Sequence, residues 1–545
     1  MNYSWIFVGR RLLAAVVGVL AVTGMACGQN KPIAVVSLAS VDGLLNDVSY
    51  VAKAAGYGDF ATQISQQATM MTNGIDRSRP LGLALLTDGD QFIPLGLVPV
   101  KDLAAVLRGL EMQLGKPQPM DDGILELQGP RPIYLKENNG WCFVGQTPGS
   151  LRKLPENPAG LLEGLNETFD IGIRVHVQNI PQAYRDIAIN QIKVGIEDQL
   201  ENLPEDDADA AVLQREMLKN QVRQWETLLS ETDQLTFGIN IDQAAGGAFL
   251  DTIFTAVTGT GTARKLAMMQ DSRTNFSGFS VDGAAITMNL SGRIADDDIE
   301  QAKTTLAGLK KQAAKQIEND ADLPDEASKQ AAIKLIDGFF AVIEETLATG
   351  KMDGAGSAII NGTDLTLVYG THVASGDKLE ASLKELVELA KKDPNFPGIK
   401  FNAAQHNGLR FHAMQIPIPE EEEARKLFGD KLNVAIGVGE DQVCVGIGND
   451  CVKYLRTCID GCTKQKRTDP FHTNVCLSQV LRLAASIGEE ESLDSIAKVL
   501  ENCGGKDNVV ISAKPVSDGA MYRIEIQEGV IEAIGNAAGQ RAAVQ

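Results

Sequence analysis

Apolar positions along the chain follow one order four times: strand, helix, helix, strand, glycine-containing turn, strand, helix. The hairpins mark it most clearly. The first pairs residues 81–86 with 92–98 across Asp88-Gly89, and the second pairs 235–241 with 249–257 across Gly246-Gly247. The third pairs 355–360 with 365–373 across Asn361-Gly362, and the fourth pairs 509–513 with 521–526 across Asp518-Gly519. Such dipeptides accept the positive backbone angles of tight hairpin turns, so each copy predicts the element independently.

A helix is predicted after every hairpin, at 102–114, 262–269, 377–391 and 529–537, with Asp102 and Asp377 placed as N-caps. Each copy opens on a strand, at 33–38, 171–177, 285–290 and 474–477. In the third copy Ile299, Ala302, Leu306, Leu309, Ala313 and Ile317 form one apolar helical stripe behind Asp296, Asp297 and Asp298, and a second helix runs over 325–347. Leu218, Val222, Trp225 and Leu229 form the equivalent stripe in the second copy. Breaks at Leu203-Pro204 and Leu323-Pro324 fit proline at a helix start. Further strands are expected at 124–127, 133–135, 141–145, 409–415, 432–438 and 442–447.

The fold class this predicts is α+β, with mostly antiparallel sheets covered by helices. Four related modules span 27–160, 161–278, 279–465 and 466–545, grouped as two similar lobes by an ancestral tandem duplication.

Ahead of the modules, residues 1–26 read as a signal peptide, with Arg10 and Arg11 followed by an apolar run too short to span a bilayer. Cleavage after Ala26 leaves Cys27 first, where a bacterial lipoprotein carries its lipid, although Gly24 stands where such signals have a branched aliphatic residue. The expected location is outside the cytoplasm: periplasmic or secreted, with lipid anchoring through Cys27 as the alternative to plain cleavage. No later segment is apolar enough to span a membrane.

The leader, the stretch Arg79-Pro80-Leu81-Gly82 leading to Pro99-Val100, and the repeat together resemble a group of uncharacterised secreted bacterial proteins built from duplicated α+β modules. The resemblance implies localisation and fold, and carries no activity or functional residue with it.

Composition narrows the partners. The chain has 545 residues, 71 acidic against 50 basic, and a net charge of -21. That balance argues against nucleic acid and anionic membrane surfaces as partners. It leaves an unknown protein or cell-envelope component.

Candidate chemistry is thin. Cys444, Cys451, Cys458, Cys462, Cys476 and Cys503 cluster near the C-terminus, with Cys142 far upstream. In an exported protein these six predict disulfides of undetermined connectivity. The sharper alternative is a tetrahedral zinc site of Cys458, Cys462, His472 and Cys476, but the second close ligand pair is missing. The acidic turns Glu205, Asp206, Asp207, Asp209 and Asp320, Asp322, Asp325, Glu326 read as solvated helix starts, as does 420–423. Gly259, Gly261 and Thr262 lack the lysine-hydroxyl ending of a phosphate loop. His406 and His412 flank a short turn and read as ordinary polarity. No catalytic, cofactor-binding or metal motif is found and no cofactor is expected. A non-catalytic binding or scaffold protein is the first reading. A periplasmic hydrolase using convergent carboxylates and a carrier of an apolar ligand are the alternatives.

Overall fold

The computed structural model describes residues 31–544 apart from 130, 202–207, 320–324, 392–395, 420–422, 463 and 489–490. The leader, Cys27, both Leu-Pro breaks, Glu205 to Asp207, Asp320, Asp322 and residues 420–422 lie outside the described residues, as does the side chain of Asp209. The protein is α+β, with extended antiparallel sheet covered in part by helices. It divides into two compact units.

Among the described residues the first unit holds those up to Tyr50, together with Gly58–Asn190 and Thr232–Ile241. Its strands are β1 (Lys31–Leu38), β2 (Leu81–Thr87), β3 (Phe92–Pro99), β4 (Gln118–Pro119), β5 (Ile124–Leu127), β6 (Ile133–Asn138), β7 (Trp141–Gly145), β8 (Ile171–His176) and β9 (Thr232–Asp242). They pair antiparallel in the order β9-β8-β1-β2-β3-β7-β6-β5-β4. The β2–β3 hairpin closes at the expected turn, where Asp88 Oδ1 accepts from the backbone N–H of Asp90 and Gln91. One sheet face carries Val35, Ala84, Leu95 and Phe143, and over it lies the loop segment bearing Leu151, Leu162, Leu165 and Phe169. That segment approaches closely because strand glycines leave room. A Cβ on Gly238 would stand 2.2 Å from the Phe169 ring, and one on Gly82 would stand 2.6 Å from Leu162. On the opposite face the helix Leu103–Leu114 covers Leu127, Leu135 and Cys142, its N-terminus capped by Asp102 as expected.

The second unit holds Val51–Tyr57, Gln191–Glu231 and the residues from Asp242 onward. Its strands are β10 (Gly247–Ala256), β11 (Arg273–Thr274), β12 (Ile286–Arg293), β13 (Lys351–Asn361), β14 (Asp364–His372), β15 (Ile399–His406), β16 (Leu409–Pro417), β17 (Lys431–Val438), β18 (Gln442–Gly448), β19 (Lys466–Arg467), β20 (Phe471–Cys476), β21 (Asn508–Val516) and β22 (Gly519–Gln527). Their order is β10-β22-β21-β20-β12-β13-β14-β18-β17-β16-β15, antiparallel throughout, with β11 and β19 forming a small ribbon apart. The third and fourth hairpins form at their expected turns, and Asn361 faces Asp364 across the third.

The helix Glu326–Ala348 starts at Asp325, whose side chain accepts from the Ser328 N–H. The helix Gly376–Ala390 corrects one expectation, because its N-cap is Ser375. Asp377 sits in the first turn and instead accepts from Arg410 at 2.7 Å. Against one sheet face the helix Cys451–Gly461 and the segment around Phe276 and Phe279 enclose Ala355, Val368, Phe411, Ala435 and Cys444.

Candidate functional site

Strand alternation sends every second side chain to the same face, and the usual solution buries the apolar set. Several strands here do the reverse. In β12 Asn289 and Ser291 are 7% and 1% exposed, while Met288 and Leu290 between them are 40% and 41% exposed. The buried polar pair is satisfied. Asn289 Nδ2 donates to Thr468 Oγ1 and the Asp469 carbonyl, and Ser291 Oγ donates to the Arg273 carbonyl. In β10 Asp251 is buried and Leu250 exposed, and in β21 Ser512 is buried and Ile511 exposed.

Register lines these apolar residues up. Leu250, Ile524, Ile511, Thr473, Met288, Gly356 and Tyr369 are successive partners across β10, β22, β21, β20, β12, β13 and β14. Directly paired residues put their side chains on one face, so the row is a continuous band. Tyr522 and Leu290 lie in the next row, which also crosses Gly354. Tyr369 lies across both glycines of β13, leaving no space for a Cβ at either. The first unit has a similar band, in which Phe237, Ile173, Val36 and Leu83 are successive partners and Phe237 and Leu83 are exposed. Both bands put apolar side chains on an exposed sheet face.

A polar cavity of about 400 Å³ opens in the second unit where β13 begins and β14 ends. His372 is among the residues that line it. Its Nδ1 is 2.9 Å from the Asp441 carbonyl, which can only accept, so Nδ1 carries the proton in the neutral ring. Nε2 is then a lone-pair acceptor, buried and without a partner among the described residues. Near the rim His406 Nε2 and Asn407 Nδ2 share Asp460 Oδ1, at 2.7 and 2.8 Å. Phe276 and Phe279 contribute the apolar wall, and Cys462 also lines the space. Cys462 accepts the Gly278 N–H at 3.3 Å, which ties that wall to the end of the Cys451–Gly461 helix.

His406 and His412 do not meet in one site. His412 is buried against Phe401, its Nδ1 accepting the Asn402 N–H at 3.2 Å, with Glu380 3.9 Å from Nε2. Glu380 is itself buried and accepts from Arg410 and Lys384. Burial holds the His412 pKa below its ordinary value, and Lys384 and Arg410 push it the same way against Glu380. Unfolded histidine takes up its proton as pH falls through about 6.5. The buried ring takes up its proton only at lower pH, so as pH falls through about 6.5 the unfolded state binds more protons there and stability falls. Glu380, whose carboxyl is held low, adds loss only below its ordinary range of about 4.3. Urea titrations at pH 7 and pH 5 are expected to show that slope in the native protein and a flatter one in His412→Leu.

The remaining candidates fall in separate places. Each of the seven described cysteines is a free thiol, including the disulfide candidates Cys444, Cys451, Cys458, Cys462, Cys476 and Cys503. Cys444, Cys451 and Cys458 belong to one apolar core with Cys462 packed against it, and burial pushes Cys444 and Cys458 up to about 12. Such thiols are poor nucleophiles at neutral pH. Cys476 instead donates to Asp507 Oδ2 at 3.1 Å, beside Ser478. Among the described residues no group of three or more His, Cys, Asp or Glu could hold a metal ion. His176 bonds Glu163 at 2.9 Å, and Arg174 joins the same carboxylate. Among the described residues the four carboxyls clearly displaced from their ordinary values, Asp76, Glu163, Glu231 and Glu380, are all held low. They are anions at neutral pH, which suits ion pairs better than proton donation. Among the described residues no helix is long and apolar enough to cross a membrane.

The sequence reading missed both the apolar band and the cavity. The band had a signal, the alternation of Met288, Asn289, Leu290 and Ser291, but not the information about which set faces inward. The cavity had none, because its walls come from turns and strand ends far apart in sequence. No family model matches the chain, and neither does any curated protein or solved structure.

Proposed function

We propose that this is an exported, non-catalytic binding or scaffold protein of the bacterial cell envelope, which holds a protein partner against its open apolar sheet faces. The inverted burial of β12 carries the reading, since satisfied polar side chains fill the interior while Met288 and Leu290 face outward. A sequence under selection for folding alone gains nothing from that arrangement.

The same reading keeps the four modules and the tandem duplication. In support, the order β21-β20-β12-β13-β14-β18-β17-β16-β15 of the second unit corresponds strand for strand to β9-β8-β1-β2-β3-β7-β6-β5-β4 of the first. Disulfide formation in an oxidising compartment would fall first to the neighbouring thiols Cys444, Cys458 and Cys462. Peptide mapping of native material without reduction would find it.

The decisive experiment is affinity capture from the native envelope with the wild type and with Leu250→Ser, Met288→Ser, Ile511→Ser and Ile524→Ser combined. All four side chains are exposed, so the variant is expected to keep its melting temperature and lose its partner. Equal recovery of the partner by both proteins would overturn the assignment to this face.

A further inference from the structure

The apolar band of the second unit is the floor of a trough, and its walls select what fits. On β22 the side chains of Ile526, Ile524, Tyr522 and Ala520 share one face, as alternate residues of a strand do. At one end Ile526 and its partner Val509 are covered by the helices Leu477–Gly488, Glu491–Glu501 and Glu528–Val544. At the other end Ala520 and its partner Phe254 are covered by the helix Gly261–Ala267 through Leu266. Between the two, Ile524 and Tyr522 are 40% and 50% exposed. The covered ends are six residues apart, about 20 Å at about 3.4 Å per residue. Helices pack with axes about 8–10 Å apart, so the gap is the width of one helix missing from the layer. Walls one helix high, about 10 Å, hold a flat bilayer away from the floor. Nor can an extended segment add to the sheet there, because β22, β21, β20, β12 and β13 are each paired on both sides.

Charge points the same way. Neither row of the floor contains a charged residue. The walls carry acids: Asp297 and Asp298 line one space with Phe254 and Lys265, and Glu528 and Glu532 lie on the helix Glu528–Val544. An uncharged floor between acidic rims matches an apolar helical stripe flanked by Lys and Arg, whose stems lie on apolar surface while their charges reach outward. From β10 to β14 the floor spans six strand steps of about 4.8 Å, about 29 Å in all, the length of about 19 helical residues.

We propose that the trough takes a basic amphipathic α-helix of another protein, lying across the strands with its apolar stripe on the band. The inference rests on the reading of the apolar faces as a docking surface and adds the form of the partner. The test is photo-cross-linking of the full chain in its native cells, with p-benzoyl-L-phenylalanine replacing Leu250 in one variant and Met288 in another. Both side chains are exposed, so both variants are expected to melt with the wild type. The two positions are four strand steps apart, about 19 Å. Mass spectrometry of the adducts is therefore expected to place the two attachment points about 13 residues apart in one partner segment, the helical spacing. Attachment points about 6 residues apart, the spacing of an extended segment, would overturn the helix and leave the docking surface standing. Adducts to a second copy of this chain would do the same. Lipid adducts, or none from either position, would overturn the helix and the docking surface together.

Discussion

Arg523→Met is expected to destabilise the second unit by about 3–5 kcal/mol, the cost of leaving a buried charge without its partner. Asp251 is 1% exposed, and both its oxygens accept from Arg523 at 2.7 Å in a two-pronged pair. The guanidinium also stacks 3.8 Å from the Phe249 ring, so the planar fork is held on two sides. Replacing Arg523 alone leaves the Asp251 carboxylate stranded between β10 and β22. The double variant Asp251→Leu, Arg523→Met removes both charges and is expected to recover most of the loss. Thermal melts of the three proteins check this, and a double variant no more stable than Arg523→Met would contradict it.

Gly370→Val is expected to cost about 3 kcal/mol, at the upper end for overpacking. A Cβ at Gly370 would stand 2.7 Å from Phe279 and 2.8 Å from Phe276, both buried side chains that cannot swing into solvent. The displaced wall is the one whose Gly278 N–H reaches Cys462, at the end of the helix that carries Cys458. The variant is therefore expected to expose thiols that are slow to react in the wild type. A lower melting temperature together with faster maleimide labelling of Cys458 and Cys462 is the anticipated pair of results. Labelling at the wild-type rate would mean the wall had stayed in place.

These two sites show where sequence reasoning reaches and where it stops. Asp88-Gly89 and Asn361-Gly362 announced hairpins because a tight turn is a local event, decided by a few backbone angles. Asp102 as a helix cap was legible for the same reason, whereas Ser375 displaced Asp377 because Arg410, distant in sequence, claims the aspartate. Gly370 reads as an ordinary strand residue until Phe276 and Phe279 are laid over it. Asp251 and Arg523 are nearest neighbours through a pairing of strands that no local pattern encodes. The apolar band was half legible. Alternation was visible in β12, but only tertiary packing sets Asn289 rather than Met288 inside.

The pairing of β10 with β22 also bears on how the chain is made. Residues 247–255 find their partners at 519–527, about 270 positions later. At synthesis rates of about 5–20 residues per second, β10 waits tens of seconds for the strand that covers its edge. Throughout that interval it offers unpaired N–H and C=O groups beside Leu250, the kind of edge that recruits other chains. Closing so long a loop is also slow for entropic reasons. The second unit's sheet can therefore be completed only once β22 has been made, near the end of synthesis.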